Sequence, residues 1–214
     1  MTAMDMVKIT VNLIIIYVIG GLIMAFVYAK TSPIMFIKAK EEKEAALKLM
    51  MPEANKIAPL GEWEPHEKHA EYYAAQKCGE VKVISVKDEK TGKTKEEKEC
   101  LHPEDIGYIA ESYGKGYSSY INMLVSVNRN FVVQKVSILH HGETPGLGDE
   151  IEKDYFLKQF KGKSLDDLVV IKGETPDKIQ AITGATISSR AVTEDGVRNA
   201  VKVLKEKLSG EGQG

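Results

Sequence analysis

"YINMLVSVNRNFVVQKVSILH", Tyr120 to His140, reads as two apolar runs folded back on each other about Asn128-Arg129-Asn130. Isoleucine, leucine and valine dominate both runs and the residues between them suit a tight reversal, so the stretch predicts an antiparallel β-hairpin. Upstream, "EVKVISVK" (Glu80 to Lys87) alternates like a strand, Thr91-Gly92 marks a turn in the polar excursion after it, and "IGYIAES" leads into the hairpin. Downstream, "IEKDYFLKQF" (Ile151 to Phe160) has helical spacing and "LVVIKG" (Leu168 to Gly173) reads as a short buried strand. Ser188 to Leu208 places Ala191, Val192, Val197, Val201, Leu204 and Leu208 along one face of a helix. Hairpins flanked by helices predict an α+β domain without internal repeats.

The 214-residue chain, 43% hydrophobic, has room for one ordinary domain plus an extra segment. Its 29 basic and 31 acidic residues leave a net charge of −2 and no basic field, which argues against a nucleic-acid partner. Ile9 to Ala29 is an uncharged run broken only by mild polar residues such as Thr10 and Asn12. As a helix it spans ~30 Å, the thickness of a hydrocarbon core, and it exceeds the apolar run of a cleaved signal peptide. A lipid-embedded anchor is therefore expected over residues 1–30. "IKAKEEKEAALKLMMPEA" keeps helical spacing until Pro52 and predicts a stalk helix over 31–52, followed by a domain at 53–208 and a disordered tail at 209–214. Lys8 precedes the apolar run while Lys30, Lys38, Lys40 and Lys43 follow it, so a bare count favours a cytoplasmic domain.

The two cysteines, Cys78 and Cys100, are too few for a four-thiolate iron–sulfur cluster and match no zinc spacing. Outside the cytosol they suit a disulfide closing the Lys/Glu-rich excursion, with two separate buried thiols as the alternative. "GKGYSS" (Gly114 to Ser119) falls short of a dinucleotide fingerprint, because Ser119 replaces the third glycine and a strand follows where a helix should begin. It reads as a glycine-rich turn that borders a ligand at most. "HHGETPGLGDE" (His140 to Glu150) combines a Pro-Gly turn, two further glycines that admit close backbone approach, and an unpaired acidic residue, Glu143. Its adjacent histidines point to opposite faces of a strand and are poor joint metal ligands. "ITGATISS" (Ile182 to Ser189) has two readings: small residues make a strand-to-helix turn with a hydroxyl as cap, or the helix start holds a phosphate within covalent reach of a hydroxyl. Local physics leaves Thr183, Thr186, Ser188 and Ser189 as near-equal candidates.

Together, the anchor, the stalk ending "ALKLMMPEA", "ETPGLG" after a strand and "ITGATISS" at a helix start resemble the FMN-binding electron-transfer subunits, and among them the G subunit of the Rnf ferredoxin:NAD oxidoreductase complex. The C subunit of the Na+-translocating NADH:quinone reductase shares these motifs and is the alternative within the family. A non-redox, anchored extracytoplasmic binding module is the alternative outside it. The resemblance implies an FMN-binding domain with a hairpin-rich sheet and flanking helices behind one transmembrane helix. It implies FMN joined by a phosphoester to Thr186, the closing residue of T-G-A-T, through the action of a flavin transferase outside the cytosol. The cofactor contacts implied with it are Thr183, Gly184, Ala185 and Ser188, then Glu143, Thr144, Gly146, Leu147 and Gly148, with Tyr117 of the GKGY turn and Lys172. Many members carry an aspartate three residues before the hydroxyl that opens the motif, where this chain has Gln180. The resemblance further implies a single-pass protein of a prokaryotic inner membrane with its domain outside the cytoplasm, against the lysine count. Such a chain relays electrons without being a complete enzyme, and the other membrane and soluble subunits of an ion-translocating complex supply donor and acceptor.

Overall fold

The computed structural model describes residues 3–87 and 94–209. The expected Thr91-Gly92 turn and residues 210–214 of the expected disordered tail lie outside them, as does the Cys100 side chain. Cys78 is disulfide-bonded. The chain forms two compact units, Met1–Glu44 and Ala45–Gly214.

Helix α1 (Ala3–Met50) makes up the first unit and contributes its last residues to the second. Residues 31–52 were expected to form a stalk helix after the anchor, and α1 runs unbroken through Pro33 to Met50. Proline there removes only the amide that would have bonded the Ala29 carbonyl, and two residues earlier the Thr31 hydroxyl donates to the Val27 carbonyl at 2.8 Å. Among the described residues this helix alone is long and apolar enough to cross a membrane. Its apolar side chains are bare, Ile16 at 66% and Phe26 at 67% exposure. A continuous apolar surface of that size calls for lipid rather than water.

The second unit is built on a five-stranded antiparallel sheet in the order β1-β2-β3-β4-β5. The strands are β1 (Lys56–Trp63), β2 (Ala70–Lys87), β3 (Thr94–Lys115), β4 (Tyr120–Asn128) and β5 (Val133–His140). The expected hairpin is β4–β5, with Val125 opposite Val136. Its reversal is held by the Asn128 side-chain oxygen, which accepts from the amides of Asn130 at 2.9 Å and Val132 at 3.0 Å. Strand β1 had no counterpart in the sequence reading. Pro59 and Gly61 disguise it, and both are tolerated because the strand lies at the sheet edge with a register shift between them.

Strand β4 is buried almost continuously because both faces of the sheet are covered. Ile121, Met123, Val125 and Val127 meet Phe156, Phe160, Val192, Val201 and Leu204 on one side. Leu124 joins Ile109, Tyr73, Leu47 and Met50 on the other. Phe156 and Phe160 are fully buried and pack edge to face at 5.4 Å, each worth about 1.5–3 kcal/mol of burial.

After the sheet, the segment expected to be one helix is divided into a 3-10 turn (Gly148–Glu152), α2 (Asp154–Leu157) and a second 3-10 turn (Lys158–Phe160). The expected strand is reduced to β6 (Val170–Ile171), which pairs in parallel with β7 (Ile179–Gln180). The C-terminal helix begins at Thr186, two residues before expectation, as α3 (Thr186–Arg190), a π segment (Ala191–Val197) and α4 (Arg198–Ser209). Ala191, Val192, Val197, Val201 and Leu204 face the core as their spacing predicts. The π segment lies where the sheet comes closest: a Cβ on Gly114 would fall 2.0 Å from the Ala191 carbonyl oxygen, and the Ser112 hydroxyl donates to the Gly196 carbonyl at 2.9 Å. That contact brings the end of β3, and the turn after it, against the start of the helix.

Candidate functional site

Three loops converge here: the β3–β4 turn (116–119), the segment after β5 (142–148) and the entry to α3 (182–189). One carboxylate joins them. Glu143, 5% exposed, accepts from the amides of Tyr117 at 3.1 Å, Ser118 at 3.0 Å and Ser119 at 3.3 Å, and from the hydroxyl of Ser188. Expected as an unpaired acid, Glu143 is instead fully engaged. Burial pushes its pKa up, but the Ser188 hydroxyl and the amides of Ser118, Tyr117 and Ser119 outweigh it and hold the carboxyl below its ordinary 4.5.

The glycines around it follow from this geometry. A Cβ on Gly116 would lie 2.5 Å from a Glu143 carboxylate oxygen, and one on Gly148 would lie 2.7 Å from Glu143 Cβ and 3.0 Å from Ser188 Oγ. The Gly142 amide donates to Ser119 Oγ at 2.8 Å, closing the first two loops together. The Thr144 carbonyl accepts from Leu147 and Gly148 at 3.2 and 3.0 Å, which forms the Pro-Gly turn, and Gly146 takes φ +75° in it. His141 is structural here: its Nδ1 accepts from the Glu143 amide at 3.1 Å and its Nε2 pairs with Glu152.

At the α3 entry the expected hydroxyl cap is absent. The N-cap residue is Ala185, with no side-chain cap bond. Ser189 uses its hydroxyl to accept from the Ile182 amide at 3.0 Å and to donate to the Ala185 carbonyl at 2.9 Å. Its amide also goes to Ala185, so the helix-start amides left without an intrahelical acceptor are those of Thr186, Ile187 and Ser188. Ser188 and Ser189 are both buried and engaged. Of the four candidate hydroxyls, the half-buried Thr186 and the exposed Thr183 make no hydrogen bond within the described chain.

Each loop exposes one large apolar side chain: Tyr117 at 72%, Leu147 at 47% and Ile187 at 55%. Leu147 leans on the T-G-A-T turn, its Cδ2 3.1 Å from where a Gly184 Cβ would stand, and Gly184 has φ +82°. Ile187 was missed from sequence, where an isoleucine in a helix is indistinguishable from core until its exposure is known. Lys172 is exposed just after β6, with no ion pair to these loops, and Gln180 in β7 binds the Gln159 side chain through its amide at 2.7 Å.

A family model described as an FMN-binding domain matches residues 116–202, from the clamped turn into α4. The chain is 36% identical over 204 residues to the G subunit of the proton-translocating ferredoxin:NAD(+) oxidoreductase complex of Clostridium ljungdahlii, covering 95% of this chain and 94% of that one. The chain belongs to this G-subunit family. A second relative, the G subunit of the Na(+)-translocating complex of Acetobacterium woodii, is 37% identical over 107 residues, 48% of this chain and 51% of that one. Among solved structures, the C subunit of the Na(+)-translocating NADH-quinone reductase from Parabacteroides distasonis is similar with a TM-score of 0.45 and 24% identity, over 67% of this chain and 64% of that one. The G-subunit family thus includes chains named for proton and for sodium translocation.

Proposed function

We propose that the chain is a membrane-anchored flavoprotein subunit that relays electrons within an ion-translocating ferredoxin:NAD oxidoreductase complex, through FMN esterified to Thr186. The observation that carries this reading is the division of labour among the four hydroxyls. Ser188 and Ser189 hold the fold, whereas Thr186 is half-buried at the helix start with its hydroxyl unengaged. The residues fit the cofactor on this structure's own terms. Free amides at Thr186, Ile187 and Ser188 suit a phosphate, and Tyr117, Leu147 and Ile187 offer apolar surface for a flat ring. Thr183 is the alternative attachment point.

Esterification forms a phosphorus–oxygen bond at Thr186 Oγ and breaks the P–O–P bond of a flavin diphosphate donor, so that the hydroxyl proton and a nucleoside monophosphate leave, a transfer assigned to a flavin transferase. Bound there, FMN supplies one- and two-electron redox chemistry. The protein's part is to hold it at high effective concentration in every redox state. Electron donor and acceptor belong to other subunits of the complex. Helix α1 is read as a single transmembrane anchor with the domain outside the cytoplasm, where the transferase acts.

In-gel fluorescence after denaturing electrophoresis tests this. Wild type and Thr183→Ala are expected to fluoresce and Thr186→Ala to be dark. Flavin that washes out of the denatured wild type, or that stays on Thr186→Ala, overturns the assignment.

A further inference from the structure

An open pocket of about 380 Å³ is lined by Lys115, Ile187, Arg190, Ala191, Glu194 and Asp195, beginning on the helix one residue after Thr186. Both of its carboxylates already accept hydrogen bonds. Glu194 accepts the Val170 amide at 2.9 Å. Asp195 accepts the Lys115 amide at 2.8 Å through one oxygen and contacts His66 Nε2 at 2.8 Å through the other. Lys115 and Arg190 are exposed, and neither forms an ion pair among the described residues. These contacts fix the two carboxylates without removing their charge, and Lys115 and Arg190 are the groups of the lining that have no ion-pair partner, so an anion supplied from outside the chain is what either would pair with.

The position of Arg190 says which anion. It stands four residues after Thr186 on α-helical backbone, so the two share a face with Cβ atoms ~5–6 Å apart. Helical side chains lean toward the N-terminus, which directs the guanidinium over the turn that Thr186 opens. We infer that Arg190, with Lys115 as a second cation, positions the flavin phosphate at Thr186. This rests on the covalent reading above. A phosphodiester there keeps one negative charge on two non-bridging oxygens, which the guanidinium fork matches in pairs as a lysine cannot. Asp195 serves indirectly, by fixing the Lys115 backbone at the pocket rim.

The test uses the full-length chain, co-expressed with the flavin transferase, as wild type, Arg190→Gln, Arg190→Lys and Lys115→Gln. In-gel fluorescence reads the rate of flavin attachment, and the 31P resonance of the purified protein reads the phosphodiester's surroundings. Arg190→Gln is expected to slow attachment about tenfold, the loss of one charge-assisted contact. Its residual product should show a 31P resonance moved toward that of a free phosphodiester. Arg190→Lys should recover part of both, and Lys115→Gln should show a smaller version of each. Attachment at the wild-type rate in Arg190→Gln, or a slowed rate with an unmoved 31P resonance, overturns the inference. The second outcome would make Arg190 a docking residue for the transferase. A wild type without covalent flavin is a distinct result: it overturns the covalent reading itself, and the role of Arg190 falls with it.

Discussion

The Ser188 hydroxyl donates to the Glu143 carboxylate across a sequence separation of 45 residues. This bond ties the loop after β5 to the helix start that carries T-G-A-T, and the same carboxylate gathers the GKGY turn through three backbone amides. The three sequence motifs are thus spatially one motif with an acid at its centre.

Replacing that acid should therefore loosen all three loops together. Glu143→Gln keeps the size but loses the charge, and it sets an amide nitrogen against donors that need an acceptor. A loss of roughly 3 kcal/mol is expected, from hydrogen bonds to a charged group worth ~1.5–3 kcal/mol each and only partly replaced. Thermal unfolding of the full chain in detergent measures it, and an unchanged melting temperature contradicts the clamp.

The same carboxylate gives a pH dependence of defined sign. Its folded pKa lies below the ordinary 4.5, so folding favours the ionised form. The stability it contributes is complete above the unfolded value and drains away as pH falls through the folded one. Acid unfolding, followed by the emission of Trp63, should set in below pH 4.5. Ser188→Ala removes the strongest of the contacts that lower this pKa, and should shift the acid midpoint upward. A midpoint that stays put or moves down refutes this account.

Two glycines should behave very differently on conversion to alanine. At Gly162, φ is +80° with nothing within 4 Å of the added methyl, so the cost is backbone strain of about 1 kcal/mol. At Gly114 the methyl would meet the Ala191 carbonyl at 2.0 Å, and β3 must move off the C-terminal helix. Overpacking of this kind costs about 3 kcal/mol or more. Comparable melting temperatures for the two variants are incompatible with so close an approach of strand and helix.

Ser189→Ala separates scaffold from chemistry. Its hydroxyl bridges Ile182 and Ala185 in a buried setting, so a loss of about 1–2 kcal/mol is expected. Flavin should nevertheless remain attached on a denaturing gel. A dark Ser189→Ala band from folded protein would assign the attachment to Ser189 instead.

The hairpin of Tyr120 to His140, the apolar face of the C-terminal helix and the membrane-length run at Ile9 to Ala29 were all legible in residue order, because each is a periodicity and periodicity is local. Strand β1 was not, since Pro59 and Gly61 argue against a strand until an edge position with a register shift is known. Helix was expected on both sides of Pro33, and α1 passes through it because one missing amide costs a long helix little. The motifs carried the family, and the T-G-A-T core carried Thr186 as the expected attachment point. The clamp at Glu143, the engagement of the Ser188 and Ser189 hydroxyls, and the placing of Ile187, Lys115 and Arg190 around the site came only with the tertiary structure. The physical reason is that a hydroxyl or carboxylate is available for chemistry only if nothing else satisfies it. Here the satisfying partners of Glu143 and Ser188 lie between 24 and 45 residues away in the chain.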